Sequence, residues 1–569
     1  HKRKNPTHTH APRHQKEWLV VVLFLAVTLV VYSYRFYTLS YNGNSILNIP
    51  NPDFSFYARM SHFIVDSGVE SVTPTLVYPE SNTRDPYHYF DLWLPGGISH
   101  FIGGENLQIL FLVSYSIGIS LVWLGFCALA EDLKRLTVVN GIIAFFATFF
   151  LPLQWVFTQV VNLGLNKFFI LTHAPPEYLS YGLWNMTKIY PVYLVLIVAA
   201  LAFLHKEKRA GIAALSLLPF IYTTISIPIV LALSLYILVD YIWISKERTL
   251  FIHSAILMLA VCIFIGLFYH HYLLDSSGNG LDPFRRLGVE PLYKSVFRPM
   301  KIFFDATFQL FLLIIPFVVL LFLEVKRGTR IKDIPKLIYE GFLTRPVSQA
   351  AIILYVASLV TWCILFDIID ANQFFATSAI PMINILCFAV VLRLTKVYLI
   401  VAVALLCAHF VNITNKDILE QRLYSEAYMN QLREVTKNTG KIRGFLLSAE
   451  DYKQGYGGNI VGALGEYVTL FRPDNYGVNL SGISLPVGAV FDSVSQASNQ
   501  EDFIKFIQEQ ENFVSIPQSR IDFIDAFKID HLVVSPNVEL DSLLSKRVKS
   551  SIKDIYSQQT FVLLNKNDY

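Results

Sequence analysis

The feature that most constrains this chain is a succession of apolar runs, each long enough to cross a lipid bilayer as a helix. A membrane-crossing helix needs roughly 20 apolar residues. Only 16% of the 569 residues are charged, against about 25% in an average soluble domain. We therefore predict an α-helical polytopic membrane protein. The runs lie at 18–37, 108–130, 137–157, 189–205, 251–272, 302–324, 347–367, 376–392 and 396–413.

One longer apolar stretch, residues 211–243, admits two interpretations. It is broken near the motif YTTISIP, and proline interrupts a helix because it lacks the backbone N–H. We interpret the stretch as two short helices that turn at Pro228, which brings the total to about eleven spans. A single long tilted helix is the alternative, and it would reverse the orientation of everything downstream.

Lysine and arginine in the short connections predict the orientation, because basic loops stay on the cytoplasmic side. The tail at 1–17 is basic and lacks the apolar region of a signal peptide. We expect this tail to be cytoplasmic and the first apolar run to be an uncleaved anchor. With eleven spans, all of the other basic connections also fall on the cytoplasmic side. They are EDLKRL, HKEKRAG, SKER, EVKRGTRIKDIPK and RLTK.

The long loops then face the outer side, together with a C-terminal region. The chain divides into the tail, a membrane domain at 18–413 with a large first outer loop at 38–107, and an outer domain at 414–569. The outer domain mixes charged helical stretches, such as KDILEQRLYSEAYMNQLREVTKN, with short apolar runs typical of strands. We predict a soluble α/β domain. The predicted strand segments are GFLLS, EYVTLF, HLVVS and TFVLLNK.

Charge and cysteine content exclude two classes of function. The net charge is only +3, so no general attraction to nucleic acid is predicted, and we expect no nucleic-acid partner. All five cysteines lie inside apolar runs and none forms a CxxC pair. A disulfide framework or a cysteine metal site is therefore not expected.

The first outer loop begins with a helix signal. In NPDFSFYARMSHFIVDSG, Asn51 suits an N-cap, Pro52 the first helical position and Asp53 the first turn. Apolar residues then recur at helical spacing, with Arg59, Ser61, His62 and Asp66 on the other side. Such a helix is too short and polar to span, so it should lie in the membrane interface. Asp53 is either a helix-dipole partner or a carboxylate held at membrane level.

The same loop ends in a second amphipathic stretch, DPYHYFDLWLPGGISHFIGG. His88 and Asp91 are three residues apart and share a helical face. One interpretation is an interfacial helix whose His/Asp edge is solvated and whose aromatic side contacts lipid. The other is a functional edge. The motif at Pro95 to Gly97 should end this helix before the second span.

Together, NPDFSFYARMS and YHYFDLW, placed in a long outer loop after one span, resemble the GT-C superfamily of integral-membrane glycosyltransferases. As architecture the resemblance extends along nearly the whole chain, including the hairpin at 211–243 and the outer C-terminal domain. As sequence it is narrow. There is no clean DxD or WWDYG-type motif, which argues against the oligosaccharyltransferase branch.

The resemblance implies an inverting transfer of a sugar from a polyprenyl-phosphate donor to a glycan, lipid or protein acceptor at the outer membrane face. Asp53 matches the early loop carboxylate and would act as general base, with His88 and Asp91 as further catalytic candidates. The departing phosphate needs cations. The basic outer loop DPFRRLGVEPLYKSVFRPMK offers such cations, and it could instead bind anionic headgroups unspecifically. Its candidates for the donor phosphate are Arg285, Arg286, Arg298 and Lys301.

Other candidates could line the acceptor cavity: Arg59, His62, Tyr87, His173 and Glu177. A divalent metal, Mg²⁺ or Mn²⁺, could take part, with ligands unknown, since two ligands at helical spacing do not make a site by themselves. A transporter or flippase of lipid-linked saccharides and a surface-polysaccharide polymerase or ligase are the alternatives. The absence of cysteines from the long outer loops suits a bacterial inner membrane, with the active site and C-terminal domain on the periplasmic side.

Overall fold

The structure is a computed structural model. The described parts are 90–104, 106–134, 136–149, 187–273, 345–366, 371–392, 422–439, 442–447, 468–471, 530–534 and 538–565, with single or short stretches within 19–34, 41–49, 57–65, 183, 297–322 and 521–536.

The described membrane part is helical, as the apolar runs predict. Residues between 19 and 34, between 57 and 65, and between 297 and 307 are helical wherever they are described. The described helices of this part lie at or between the predicted apolar runs. They are α1 (Phe90–Ile102), α2 (Asn106–Leu133, π-helical at Ile109–Tyr115), α3 (Val138–Phe149), α4 (Thr187–Leu204), α5 (Lys208–Leu215), α6 (Leu218–Ile221), α7 (Ser226–Ile244), α8 (Arg248–Leu273), α9 (Pro346–Ile364) and α10 (Gln373–Val391).

Six of the described helices, α2, α4, α7, α8, α9 and α10, are long and apolar enough to cross a membrane. This is a membrane protein. The total of about eleven spans stays a prediction, because the run at 18–37 is described only in part, most of 302–324 is not described, and 396–413 lies wholly outside the described residues.

The stretch at 211–243 is a helical hairpin rather than one long helix. One limb consists of α5 and α6, and α7 returns after a single 3₁₀ turn at Thr223–Ile225. Lys208 at the start of the first limb pairs with Asp240 near the end of the second, with Nζ 2.5 Å from Oδ1. Both limbs therefore open to the same end of the bundle. The turn lies at 222–225, not at Pro228, which instead occupies the first turn of α7, where a missing N–H costs no helical hydrogen bond.

Direct contacts bring four of the five predicted cytoplasmic connections to one end of the bundle, which we call the basic end. His205 Nε2 lies 2.8 Å from Asp132 Oδ2, and Lys134 Nζ donates to the carbonyl of Leu392 at 3.0 Å. Arg209 pairs with Glu247 at 3.6 Å. The ends of α2, α4, α7 and α10 and the start of α5 thus lie together. The opposite end, where α2, α4 and α10 begin, is the end that the basic connections predict to face outward, and we call it the outer end.

An aromatic layer joins α2, α4 and α10 in the middle of the bundle. The ring of Phe126 meets Phe388 edge-on at 4.9 Å and lies 6.4 Å from Tyr193. Asn384 donates from Nδ2 to the carbonyl of Ala147 at 2.9 Å and to the Tyr193 hydroxyl at 3.3 Å. These contacts make α4 the central helix, and its first turn contributes to the site described below.

The C-terminal part contains a five-stranded mixed sheet, and a second, three-stranded sheet joins it to the first outer loop. The strands are β1 (Tyr41–Asn42), β2 (Ile46–Ile49), β3 (Arg422–Ser425), β4 (Ile442–Leu447), β5 (Val468–Phe471), β6 (His531–Val534), β7 (Val548–Lys553) and β8 (Thr560–Leu564). Their orders are β1-β2-β3, antiparallel, and β5-β4-β6-β8-β7, parallel across β5-β4-β6 and antiparallel beyond. Helices α11 (Glu426–Thr439) and α12 (Ser542–Lys546) accompany them.

One predicted helix is wrong in part. The stretch KDILEQRLYSEAYMNQLREVTKN reads as a continuous helix, but 422–425 is strand β3, and α11 begins only at Glu426. The Ser425 hydroxyl accepts the N–H of Tyr428 at 3.1 Å, as an N-cap does. Ser425 is therefore the N-cap of α11, at the boundary between this helix and β3.

Candidate functional site

The two helices of the first outer loop pack directly on each other at the outer end. Ser61 donates from Oγ to the carbonyl of Leu92 at 3.0 Å. A Cβ on Gly96 would lie 3.0 Å from the Ser61 carbonyl oxygen and 3.4 Å from Val65 Cγ2. Only glycine allows so close a crossing. Ser61, which the spacing places on the side opposite the apolar residues, is fully buried.

Helix α1 turns its carboxylate inward, contrary to a solvated His/Asp edge. Asp91 is 1% exposed, whereas Trp93 is 41% exposed. The helix also continues through Pro95 to Ile102, so the predicted stop at Pro95 to Gly97 is wrong. Packing decides both points, because Gly96 must stay helical to fit against Ser61. Asp91 lies in the first turn of α1, where the helix dipole favours a negative charge, and it interacts electrostatically with Tyr190.

A buried lysine lies in the first turn of α4, two residues before Tyr190. Lys188 is 5% exposed, and its Nζ donates to the Tyr57 hydroxyl at 2.5 Å and lies 5.0 Å from the centre of the Tyr57 ring. A cation at the start of a helix opposes the helix dipole, and burying it adds a desolvation cost. The contacts to Tyr57 offset part of this cost. An ionisable side chain buried in a membrane bundle is a candidate functional residue, and Lys188 is one.

Tyr190 follows Lys188 by two residues in α4 and interacts electrostatically with Asp91. Its ring meets that of Tyr115 edge-on at 6.3 Å, and both rings are fully buried. We call Tyr57, Asp91, Tyr115, Lys188 and Tyr190 the acid–base cluster. The C-terminal end of α4 reaches the basic end at His205. At about 1.5 Å per residue, the cluster therefore lies roughly 25 Å from the basic end.

Of the residues proposed from the sequence, the structure describes Asp91 and Lys301. Asp91 belongs to the cluster. Lys301 is half-buried in the helical segment at 297–307, where the nearby Ala306 packs with Leu359 of α9 and Phe375 of α10. The other candidates lie outside the described residues. They are Asp53, Arg59, His62, Tyr87, His88, His173, Glu177, Arg285, Arg286 and Arg298.

Sequence reasoning missed Lys188, although a signal was present. In NMTKIYPVYLV a single lysine stands at the outer start of an apolar run, against the tendency of basic residues to stay inside. Among the residues that the structure describes, no three His, Cys, Asp or Glu side chains lie together as a metal site would require.

Comparisons with known proteins provide no family for this chain. No protein-family model matches it, and no curated protein matches it. A solved structure with some similarity is the oligosaccharyltransferase of Archaeoglobus fulgidus in its apo form. The TM-score is 0.45 at 12% identity, covering 91% of this chain and 70% of that one. Similarity of this degree is too low to assign a fold or a function.

Proposed function

We propose that this protein is a GT-C-type glycosyltransferase that moves a sugar from a polyprenyl-phosphate donor to an acceptor at the outer membrane face. The observation that carries the proposal is the acid–base cluster, in which a carboxylate and an ammonium group are both buried at the outer end of a membrane bundle. Ionisable side chains buried inside membrane bundles mark functional sites, because they are costly to retain. The sequence resemblance to GT-C enzymes supports the type of reaction.

The reaction requires both kinds of group. The bond between sugar C1 and the phosphate oxygen breaks as C1 bonds to the acceptor oxygen, through an oxocarbenium-like state. The acceptor hydroxyl gives its proton to a carboxylate, and polyprenyl phosphate leaves with the electron pair and its negative charge. A buried cation stabilises that charge more than an exposed one, because water does not screen it.

In this proposal Lys188 stabilises the departing phosphate and Tyr57 positions its ammonium group. Asp91 and the predicted base Asp53 share the handling of the acceptor proton. Asp53 lies about one helical turn before Tyr57 in the sequence. The basic loop with Arg285, Arg286, Arg298 and Lys301 would attract the anionic donor from the membrane surface, and a divalent metal remains compatible with the chemistry. We propose the bacterial inner membrane, with this site facing the periplasm.

The test follows release of polyprenyl phosphate, the product common to every sugar and acceptor. Purified protein in liposomes receives undecaprenyl phosphate carrying mannose, glucose or an aminopentose, with host membrane extract as acceptor. We expect Lys188→Met and Asp91→Asn to lower release by a factor of about 100 or more, the typical effect of removing a group that stabilises transition-state charge. Lys134→Met, which removes a lysine at the basic end, should leave release unchanged.

Two results would contradict the proposal. If Lys188→Met were less stable but kept full turnover, the cluster would be a structural ion pair. If the sugar lipid crossed the bilayer without release of polyprenyl phosphate, the protein would be a transporter.

A further inference from the structure

A second polar site lies where the tip of the hairpin meets the outer end of α10. The 3₁₀ turn at Thr223–Ile225 packs against Gln373–Ala376. Three side-chain oxygens, two on these segments and one on the residue that follows Ala376, are inaccessible to solvent and have no hydrogen-bond partner: Thr224 Oγ1, Gln373 Oε1 and Thr377 Oγ1. Gln373 and Thr377 are four residues apart on one helix and therefore share a face.

Thr377 differs from other buried threonines of the bundle. The hydroxyls of Thr148 and Thr361 donate to the carbonyls one turn back, Ala144 and Ala357, at 2.8 Å. This is the usual way for a threonine to satisfy its hydroxyl inside a membrane helix. Thr377 is 1% exposed, yet its hydroxyl makes no such bond.

The depth of this site makes the unmet hydrogen bonds costly. Helix α10 reaches the basic end at Leu392, so at about 1.5 Å per residue Thr377 lies roughly 22 Å from it, within a hydrocarbon layer about 30 Å thick. Lipid tails at such a depth offer no hydrogen bonds. A buried polar atom without a partner is destabilising, so a group that hydrogen-bonds to these three atoms would stabilise this part of the bundle.

The chemistry of the three side chains limits what they can bind. All are uncharged, and the amide oxygen of Gln373 needs a donor, while the threonine hydroxyls donate or accept. Hydroxyl groups fulfil both roles, whereas an isolated phosphate would favour a cation. Helix α4 contacts both α6, just before the hairpin tip, and the α10 helix. The three oxygens therefore lie in the same outer half of the bundle as the acid–base cluster.

We propose that Thr224, Gln373 and Thr377 bind hydroxyl groups of an uncharged saccharide at the hairpin tip. The saccharide identity rests on the proposed function, in which the cluster holds the phosphate end of a lipid-linked sugar and the hairpin tip holds the sugar itself. A trapped water molecule would satisfy the same atoms and is the competing source of hydroxyls.

Thermal unfolding of the detergent-solubilised full chain separates these sources. The probes are farnesyl phosphate alone and farnesyl phosphate carrying mannose, glucose, galactose or arabinose. We expect at least one sugar probe to stabilise the wild type more than farnesyl phosphate does. Thr377→Val should bind that probe roughly tenfold more weakly, as expected for one lost hydrogen bond, while its affinity for farnesyl phosphate stays the same. Thr361→Val, on the neighbouring helix α9, is the matched control and should bind all probes as the wild type does.

The unliganded variants provide a second readout. Valine has the shape of threonine without the hydroxyl, so Thr377→Val should melt at or above the wild-type temperature, whereas Thr361→Val should melt below it. Equal affinity of Thr377→Val and wild type for every sugar probe would overturn the proposal. So would a drop in melting temperature for unliganded Thr377→Val, which would show that water already satisfies the hydroxyl. If farnesyl phosphate itself failed to bind, the proposed function would be contradicted. The sugar site would then be tested with free monosaccharides, and an unchanged melting temperature would contradict it as well.

Discussion

Tyr190 of the acid–base cluster interacts electrostatically with Asp91, and a glycine provides the space for its ring. A Cβ on Gly118 of α2 would lie 2.6 Å from Tyr190 Cε2 and 2.7 Å from Cγ. Neither a ring buried on all sides nor the backbone of α2 can yield easily. The geometry of the cluster therefore depends on a residue that makes no polar contact with it.

We predict that Gly118→Ala destabilises the protein by about 1–3 kcal/mol, the usual cost of overpacking a core, and lowers turnover by displacing Tyr190. Gly97→Ala is the matched control, because a Cβ there meets nothing within 4 Å and alanine favours a helix. Thermal unfolding and the release assay measure both effects. Equal stability and turnover in the two variants would show that Tyr190 is not held by this contact.

At the scale of single residues, the sequence identifies chemistry better than position. Asp91 was predicted as a functional candidate from its spacing to His88, but its burial and the exposure of Trp93 follow from the crossing at Gly96. Lys188 could have been noticed as a lone lysine at the outer start of an apolar run. Its contact with Tyr57 could not have been predicted, because the two residues are far apart in the chain.

At the scale of elements, the C-terminal region shows which strands the sequence predicts and which only the structure reveals. The four predicted strand segments are confirmed as β4, β5, β6 and β8, because short apolar runs between turns identify buried strands well. Strand β7, with the polar sequence VKSSIK, was missed because its side chains carry no apolar pattern. The sequence pattern around β3 predicts a helix, and the strand is extended because it pairs with β2 of the first outer loop.

Asp554 joins the two sheets. It is fully buried, and its carboxylate accepts the backbone N–H of Ser425 at 2.9 Å and, from Ser557, the N–H at 2.7 Å and the hydroxyl at 2.6 Å. Burial raises the pKa of Asp554, but the hydrogen bonds from Ser557 and Ser425 outweigh burial and hold the pKa below its usual value.

We predict that Asp554→Asn weakens the attachment of β3, because an amide oxygen replaces an ionised carboxylate that accepts three bonds. The loss at neutral pH should be about 1.5–3 kcal/mol, as for a hydrogen bond to a charged group. Since the folded-state pKa lies below the unfolded value of about 3.9, the stabilisation is present above that value and disappears as the pH falls through the folded-state pKa.

Amide hydrogen exchange of peptides that cover β3 and the 554–559 turn measures this effect. The exchange of the variant should exceed that of the wild type at pH 7, and the difference should vanish in acid. Asp541→Asn is the control, because asparagine caps a helix as well as aspartate and Asp541 is the N-cap of α12. A difference that persisted unchanged in acid would show that the charge of Asp554 is not involved.

At the scale of the whole molecule, sidedness is the main prediction. The basic connections meet at one end, and Leu392 lies there, whereas Arg422 pairs with Ile49 of the first outer loop. The predicted span 396–413 lies outside the described residues, but the chain on either side of it is at opposite ends. We therefore expect the C-terminal sheet on the side opposite the basic end.

In a cysteine-free background, Lys246→Cys at the basic end and Lys549→Cys on β7 should react with a membrane-impermeant maleimide from opposite sides of the membrane. Lys206→Cys, at another basic connection, should behave as Lys246→Cys does, and all three should react in detergent. Labelling of Lys246→Cys and Lys549→Cys from the same side would require a different number of crossings.

The sequence by itself determined that this is a helical membrane protein, where most described spans lie, and which connections are basic. These properties depend on local composition, since a bilayer selects apolar helices segment by segment. Only the tertiary structure decided that the hairpin turns before Pro228, that Asp91 faces inward, that Lys188 meets Tyr57 and that 422–425 is a strand. Each of these depends on contacts between residues distant in the chain, and an apolar pattern says which side of a helix is buried but not what it is buried against.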